Sequence, residues 1–479
     1  MNAKEFLKNI SRYCIPSVVS AVLGIIAIPI VSRLFPTDDY GKINLFYTIG
    51  NMLLYVVLLG LDSAYIRFYF ETPKGITKKD LFSLSFWFGV LINFLATLVC
   101  IFFFSTKASL YLFGEKKVYL LMVLSVYVFA LMVIRLLSIE TRMEGKTFLY
   151  NLQQVSLIIT NRVAYVGAVF VTTNYQFSIL IIVGLTVILA FLFLIKQKKI
   201  QDFTLPHIPW GKFKFIMAFS IPLMPTTLMT WANNSAAKMV VSSYGDFAAL
   251  GVLTIATGLA NVFSLIPSAF CAYWSPFMYK NHKTNQSFIK QVHNYILLLS
   301  IVILLCFYCF QDIVYLLVGE DYKKSQDFFM LIMLSPIQSL LCETTGYGII
   351  FSNKTKFNMY ISIVSLVVNF VLGYTLYPVL GIHGVVLGIA ISSVIILIIK
   401  TILGQHYYKS IVNKWQTICG YLIIIFLTTC NLWTYDKQSL KILITFVVLF
   451  VVILNFKNEI LQCVRSAKKM LAKKGNQNV

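Results

Sequence analysis

Negatively charged residues are scarce in this chain. Of 479 residues only 18 are Asp or Glu and 5 are His, and charged residues of both signs make up 12%. Soluble domains carry about 25% charged residues. Hydrophobic residues make up 58% of the chain, and the mean hydropathy is +0.80. A water-soluble fold cannot bury this much apolar surface, so the composition predicts an all-α polytopic membrane protein.

Sequence motifs for nucleotide binding and hydrolysis are also absent. The chain has no G-x-x-x-x-G-K-[ST], no H-E-x-x-H and no G-x-S-x-G, which are the local patterns of P-loops, zinc proteases and serine hydrolases. The nine cysteines lie mostly in apolar segments, where cysteine packs as a small hydrophobe. We therefore expect no catalytic residues, cofactor or metal. Without a nucleotide site, the energy for any activity must come from the membrane potential, the substrate's own gradient or an ion gradient. A proton or sodium ion would be the coupling partner in the last case.

Positive charge is abundant, with 40 Lys and Arg and a net charge of +22. In a soluble protein such a balance would suggest a nucleic-acid partner. Here the charges cluster between apolar runs, and most fall on alternate connections, as the positive-inside rule describes for cytoplasmic loops. The pattern predicts no nucleic-acid partner, an even number of spans, and both termini and the basic linker 197–212 in the cytoplasm.

Apolar runs bounded by charge, proline and glycine predict about 14 transmembrane helices. A span needs about 20 residues, because a hydrocarbon core of about 30 Å is crossed at about 1.5 Å per residue. The loops opposite the basic connections are short, which predicts no folded domain on that side. The predicted spans are 10–32, 43–68, 81–105, 117–139, 149–171, 175–196, 213–237, 247–272, 290–311, 326–351, 357–378, 382–402, 417–433 and 439–456.

A weak internal repeat divides the chain. Ile15-Pro16 is followed by Tyr40-Gly41, and Ile221-Pro222 is followed at a similar distance by Tyr244-Gly245. Two dipeptides can also match by chance. Taken as a repeat, they predict two six-helix lobes related by a pseudo-two-fold, with a pathway at their interface. The predicted organisation is an N-terminal lobe (1–196), a cytoplasmic basic linker (197–212), a C-terminal lobe (213–402), two additional helices (403–456) and a basic cytoplasmic tail (457–479).

Polar residues form stripes on four predicted spans when plotted at about 100° per residue. Such groups face the bundle interior or a watery cavity, because they are costly in hydrocarbon. A simpler explanation is hydrogen bonding between neighbouring helices. The stripes are Asn44, Thr48, Asn51, Tyr55 and Asp62 on the second span; Asn151, Gln154, Asn161, Arg162 and Tyr165 on the fifth; Thr226, Thr230 and Asn233 on the seventh, with Asn234 and Lys238 at its margin; and Thr254, Thr257, Asn261, Ser264 and Ser268 on the eighth.

Arg162 is the most informative of these residues. It lies near the middle of its span, too deep to reach either surface easily. A buried guanidinium needs an anion, and span carboxylates are few: Asp62, Glu140 and Glu343. Arg162 is therefore either a structural partner of Asp62 or Glu343, or a ligand for a substrate phosphate. With Lys238, it predicts a net positive cavity.

Three further arginines, Arg67, Arg135 and Arg142, stand at the cytoplasmic ends of spans. They can anchor the helices at the membrane surface or catch a pyrophosphate head group at the inner mouth. Our predicted substrate-binding set is Asn51, Asp62, Arg67, Arg135, Arg142, Gln154, Asn161, Arg162, Asn233, Asn234 and Lys238.

Several segments resemble one known family. They are Ile15-Pro16, the loop PTDDYG from Pro36 to Gly41, the run GLDSAYIRFYFE from Gly60 to Glu71, and the stretch Tyr360 to Val394 with its GIHGVVLGIAISS run. Together they resemble the Wzx family of O-antigen and capsule flippases, which is related to MATE exporters and lipid II flippases. The likeness extends to about Lys400 and leaves the last two predicted spans as a variable pair.

The resemblance implies a V-shaped bundle of two lobes with a cationic central cavity and alternating access. It implies that undecaprenyl-pyrophosphate-linked oligosaccharide is moved from the inner to the outer leaflet of the bacterial cytoplasmic membrane for surface polysaccharide biosynthesis. Membrane lipids and a polysaccharide polymerase are further partners on this hypothesis. Arg67 falls within the matching motif, whereas Arg162 and Lys238 are predicted from their charge and depth alone.

Two alternatives remain open. A MATE-type drug or cation antiporter would need an acidic cavity, whereas the span residues here lean basic. A membrane polymerase or glycosyltransferase acting on the same lipid carrier would need an acid pair in an outer loop. Asp38-Asp39 is the candidate pair, although a solvated turn after Pro36 also explains it.

Overall fold

The computed structural model describes residues 15–69, 75–169, 172–198, 208–352, 354, 356–462 and 465. Within these ranges the regular structure is helical and contains no strand, so the predicted all-α fold is confirmed. The helices of the amino-terminal half are α1 (Ile15–Leu34), α2 (Thr37–Leu58), α3 (Leu61–Phe68), α4 (Lys78–Phe113), α5 (Tyr119–Met143), α6 (Thr147–Val169), α7 (Tyr175–Lys196), α8 (Trp210–Ser220), α9 (Met224–Ser243) and α10 (Phe247–Phe263).

The remaining helices are α11 (Leu265–Asn281), α12 (Gln286–Tyr315), α13 (Phe329–Ile332), α14 (Leu334–Thr345), α15 (Tyr347–Phe351), α16 (Lys356–Leu380), α17 (Ile382–Tyr407), α18 (Lys414–Thr434) and α19 (Gln438–Asn455). Short 3₁₀ helices cover Ile221–Leu223 and Glu320–Ser325. Within the described residues, each predicted span overlaps one helix or a run of consecutive helices. Residues 10–14 of the first predicted span and 170–171 of the fifth lie outside the described residues.

Ten helices in the described part of the chain are long and apolar enough to cross a membrane. The segments Trp210–Met229 and Trp231–Ser243 meet at 48°. If they count as one bent span, the number of candidate spans in the described residues rises to eleven. The protein is therefore a multi-pass membrane protein, and the number fourteen stays a prediction. The ten are Thr37–Leu58, Lys78–Phe113, Tyr119–Met143, Tyr175–Lys196, Phe247–Cys271, Gln286–Tyr315, Lys356–Leu380, Ile382–Tyr407, Lys414–Thr434 and Gln438–Asn455.

The second predicted span, 43–68, is not one continuous helix. Leu59 (φ 47°) and Gly60 (φ 76°) both adopt the left-handed conformation, and this ends α2 before α3 begins at Leu61. Glycine adopts this conformation without steric cost, whereas leucine does not. The seventh predicted span, 213–237, is interrupted by Ile221–Leu223. Pro222 supplies no backbone donor there, which explains the interruption.

The two interruptions touch each other. A Cβ atom added at Gly60 would lie 2.4 Å from the carbonyl oxygen of Ser220, the last residue of α8. Close to this point, Phe68 of α3 packs edge-on against Phe219 of α8, with ring centroids 5.3 Å apart. The short helices α3 and α8 therefore pack together as a pair.

The chain folds into two compact units. The first comprises the described residues up to Val262 together with Val318–Tyr322, and the second comprises Phe263–Leu317 and the residues from Lys323 onward. In the first unit α8, α9 and most of α10 belong with the amino-terminal helices. The predicted lobes 1–196 and 213–402 rest on the sequence repeat and stay a prediction.

Within the first unit, α2 and α10 approach very closely at their amino-terminal ends. A Cβ atom at Gly41 would lie 2.0 Å from the carbonyl oxygen of Phe247, and one at Gly251 would lie 2.1 Å from that of Thr37. Such distances exclude any larger residue without backbone movement. Glycine at both positions therefore lets the polar faces of these helices meet, and the candidate site lies there.

Candidate functional site

A cavity of about 240 Å³ opens inside the first unit. Its wall is built by side chains from α1, α2, α6, α9 and α10. Four of the predicted substrate-binding residues line it: Asn51, Asn161, Arg162 and Lys238. The other lining residues are Ile28, Tyr40, Asn44, Tyr47, Thr254, Ile255, Thr257, Gly258 and Asn261.

The α2 wall of the cavity is tied to α6. The Tyr47 hydroxyl donates to the backbone carbonyl of Asn161 over 3.1 Å. Asn51, one turn further along α2, donates from Nδ2 to the Tyr47 carbonyl over 2.8 Å. The hydroxyl of Tyr127 on α5 lies beside the Asn161 side chain. These contacts fix the backbone that carries the next residue, Arg162.

Arg162 reaches the cavity partly buried. Gly24 of α1 faces the guanidinium, and a Cβ atom there would lie 4.0 Å from Arg162 Nη2. Among the residues that the structure describes, no carboxylate forms an ion pair with Arg162, and no side chain or carbonyl accepts a hydrogen bond from it. Within the described part of the chain, the cation therefore faces the cavity without a protein anion.

Lys238 of α9 is the second cation of the cavity. Its Nζ donates to Oδ1 of Asn44 on α2 over 3.3 Å, and its ammonium is close enough to Arg162 for the two charges to repel. No Asp or Glu is among the described residues that line the cavity. The described lining of this cavity in the first unit therefore carries two cations and no carboxylate, and the predicted central cavity between two lobes stays a prediction.

Asp62 and Arg135 do not line the cavity; they form an ion pair. Arg135 Nη2 lies 3.0 Å from Asp62 Oδ2, and the other carboxylate oxygen accepts from the backbone of Ser63 over 2.8 Å. Asp62 is therefore paired with Arg135 and not with Arg162, as one of our two hypotheses for Arg162 had required. Glu343 belongs to the second unit, where it accepts from the Tyr347 hydroxyl over 3.4 Å.

The remaining predicted residues also lie outside the cavity lining. Gln154 is half-buried on α6, nearly two turns before Asn161, and Asn233 and Asn234 lie on α9 before Lys238. Arg67 is exposed at the end of α3, and Arg142 is half-buried at the end of α5. Nothing in the geometry brings these five into the cavity, and their role in binding stays a prediction.

Several lining residues were not in the predicted set. Asn44, Thr254, Thr257 and Asn261 belong to the polar stripes of the sequence, so the helical pattern could have selected them. Tyr40, Tyr47 and Ile28 gave no comparable signal, because aromatic and aliphatic residues are found on every face of a membrane helix.

The acid pair Asp38-Asp39 lies in the first turn of α2. Asp38 is paired with Lys42, with Nζ and Oδ2 2.7 Å apart, and the same ammonium lies 3.8 Å from Glu115 Oε1. Neither acid lines the cavity. The structure thus gives Asp38 an ion pair one turn along its own helix.

The described part of the chain is thus an all-helical, multi-pass membrane bundle with a cationic cavity in its first unit. The model of a family described as "Polysaccharide biosynthesis protein" matches residues 30–327, which is more than half of the chain. The chain belongs to this family, so the resemblance to polysaccharide flippases is confirmed at that level. A search of curated protein sequences gives no match.

Solved structures show the same fold. The lipid II flippase MurJ in an inward closed conformation is similar with a TM-score of 0.67 and 15% identity, covering 94% of this chain and 99% of that one. An inward-facing multidrug resistance MATE transporter of the MOP superfamily is similar with a TM-score of 0.54 and 16% identity, covering 83% and 97%. At these identities the likeness establishes the fold.

Proposed function

We propose that this protein is a flippase for undecaprenyl-pyrophosphate-linked oligosaccharide in the bacterial cytoplasmic membrane. It moves this intermediate from the inner to the outer leaflet by alternating access, for surface polysaccharide biosynthesis. The observation that carries the proposal is the pairing of Arg162 and Lys238 in one cavity without a carboxylate among its described lining residues. Membership of the polysaccharide biosynthesis family supports the same substrate class.

The charge of the cavity supports an anionic ligand. A cation inside a membrane protein is costly unless an anion or strong dipoles compensate for it. Arg162 and Lys238 repel each other, and a bound pyrophosphate relieves this repulsion while satisfying both cations. The planar guanidinium can donate to two phosphate oxygens at once, which makes arginine the usual choice for this group.

The size of the cavity supports binding of a head group. Its volume of about 240 Å³ is below the range of about 300 to 1,000 Å³ that is usual for pockets of drug-sized ligands. A space of this size suits a small charged head group such as pyrophosphate better than a whole oligosaccharide. The amides of Asn51 and Asn261 and the hydroxyl of Thr257 offer hydrogen bonds to sugar or phosphate oxygens.

The same charges disfavour the two alternatives. A cationic drug would meet two like charges in the cavity, which argues against a MATE-type antiporter despite the shared fold. The glycosyltransferase hypothesis depended on Asp38-Asp39, and Asp38 is engaged by Lys42. On the flippase proposal, a proton or sodium gradient or the membrane potential supplies the driving force, and a polymerase receives the product.

The test is complementation of a strain that lacks the gene. Wild-type protein should restore surface polysaccharide, and Arg162→Ala should leave lipid-linked intermediates in the inner leaflet at normal protein level. Lys107→Ala is the matched control, because Lys107 is an exposed cation on α4 away from the cavity. Normal surface polymer in the deletion strain, with no second flippase present, would refute the proposal.

A further inference from the structure

Two lysines of the first unit have very different partners. Lys42 is bound by two carboxylates, Asp38 at 2.7 Å and Glu115 at 3.8 Å, so its charge is compensated within the protein. Lys238 instead donates to the amide oxygen of Asn44 at 3.3 Å. An amide accepts a hydrogen bond but carries no net charge. Asn44 therefore holds the ammonium of Lys238 without cancelling its charge.

Asn44 is also placed where it can hold Lys238 in the cavity. It lies on α2 and lines the cavity together with Arg162 and Lys238. Its backbone carbonyl accepts a hydrogen bond from Thr48 over 2.8 Å, and its side-chain oxygen faces α9. A long, flexible lysine side chain loses conformational entropy when it is held in one place. The amide of Asn44 offsets part of that cost and keeps Lys238 near Arg162, against the repulsion between them.

We propose that Asn44 is a positioning residue that keeps two uncompensated cations side by side, so that the cavity selects a head group with two adjacent negative charges over one with a single charge. This inference depends on the proposed function and specifies its ligand further. A pyrophosphate diester has one negative charge on each phosphorus and can satisfy both cations. A phosphate diester has one charge and leaves Arg162 or Lys238 unpaired, which is costly in this setting.

The experiment compares two lipids that differ by one phosphate. A polyprenyl-pyrophosphate-linked monosaccharide and the corresponding polyprenyl-phosphate-linked monosaccharide are titrated against the purified full-length protein in nanodiscs. The measured quantity is the ratio of the two dissociation constants, which does not depend on the fraction of protein that is active. Wild-type protein should bind the pyrophosphate lipid at least about tenfold more tightly.

Asn44→Asp keeps the shape of the side chain and adds a carboxylate beside Lys238. We expect the ratio to fall close to one, because the cation is then compensated as Lys42 is. Asn44→Ala should lower the ratio less, since it removes the positioning and leaves the charge. The control is Asn93→Asp on α4. The Asn93 amide donates to the Ser125 carbonyl over 3.2 Å, and neither residue lines the cavity. The ratio of the two dissociation constants should stay unchanged in this variant.

A double variant separates positioning from general packing. If Asn44 acts through Lys238, then Asn44→Ala should change the ratio very little in a Lys238→Gln background. An equal loss in both backgrounds would overturn the inference. So would a wild-type ratio in Asn44→Asp, provided that Arg162→Ala still weakens binding of the pyrophosphate lipid. Failure of wild-type protein to bind either lipid would instead count against the proposed function.

Discussion

Lys238 of α9 donates a hydrogen bond to Oδ1 of Asn44 on α2, over 3.3 Å. The contact joins two helices that are far apart in sequence, and it holds the ammonium in the same cavity as the guanidinium of Arg162. Cations inside membrane proteins usually face carboxylates or backbone carbonyls. Among the described residues, Lys238 has the neutral amide of Asn44 as its hydrogen-bond partner, and a lipid pyrophosphate would bring negative charge.

Arg162→Lys should retain part of the transport activity. An ammonium keeps the positive charge but lacks the planar guanidinium that donates to two phosphate oxygens at once. We expect the transport rate to fall about 2- to 10-fold, at an unchanged protein level. The measurement is translocation of fluorescent lipid-linked sugar in proteoliposomes. Full activity with lysine would show that the fork geometry is dispensable, and no activity would show that charge alone is insufficient.

The ion pair between Arg135 and Asp62 should contribute to stability. Arg135→Ala leaves the Asp62 carboxylate, whose side chain is 10% exposed, without its cation. Because the Arg135 side chain is 44% exposed, solvent screens the pair, and we expect a loss of about 1 kcal/mol in the free energy of unfolding. Asp62→Asn in the same chain should recover most of the loss in thermal stability. If both residues bind substrate instead, the double variant would remain stable but inactive.

The distribution of Lys and Arg predicts the orientation of the protein. Reporter fusions after Lys196 and after Lys457 should both give a cytoplasmic signal, and a fusion after Lys323 should give the opposite signal. Alkaline phosphatase and green fluorescent protein fusions at each site provide two independent measurements. A periplasmic signal at Lys196 would contradict the predicted topology from the sixth predicted span, 175–196, onward.

Gly60 should tolerate substitution less well than other glycines of similar conformation. Alanine at φ 76° is strained by about 1–2 kcal/mol, and its Cβ would also lie 2.4 Å from the Ser220 carbonyl oxygen. Gly145 has φ 73° with no atom within 4 Å of the added Cβ, so Gly145→Ala measures the backbone strain alone. Gly60→Ala should lower the melting temperature of purified protein further than Gly145→Ala. Equal shifts would show that α3 and α8 separate without cost.

The sequence predicted much of the cavity because helical periodicity survives in a membrane bundle. Asn44 and Asn51 lie two turns apart on α2, and both face the cavity as the helical projection predicts. Asp62 was projected onto the same stripe, but the left-handed residues Leu59 and Gly60 reorient the chain before it. Asp62 therefore faces Arg135. No periodicity argument carries across such a break, which is why this residue was misplaced.

Periodicity could not predict which polar stripes meet in one cavity, because that depends on how the helices pack. Gly41 and Gly251 bring α2 and α10 into close contact, and this approach is what places Thr254 and Thr257 in the same cavity as Asn44. A glycine in a membrane helix is common, so its presence alone did not identify the contact. The depth of Gln154 on α6 was likewise not fixed by its angular position, because two residues on one face can still lie at different heights.

Lys238→Met should make the protein more stable and less active. Methionine approximates the length of lysine, and the change removes an ammonium that is held by a neutral amide and repelled by Arg162. Replacing such a charge with an apolar side chain is often neutral or stabilising, and we expect a gain of about 1 kcal/mol. Transport should fall strongly, because the ligand loses one of its two cations. Functional sites commonly carry this kind of strain.

The comparison for Lys238→Met is Lys42→Met in the same unit. Lys42 is paired with Asp38 and Glu115 and lies against the Tyr175 ring at 4.8 Å, so its removal should lower the melting temperature. Differential scanning fluorimetry in detergent and transport in proteoliposomes give the two readouts for each variant. A lower melting temperature for Lys238→Met would show that Lys238 is part of the structural framework, and the cavity would then have Arg162 as its functional cation.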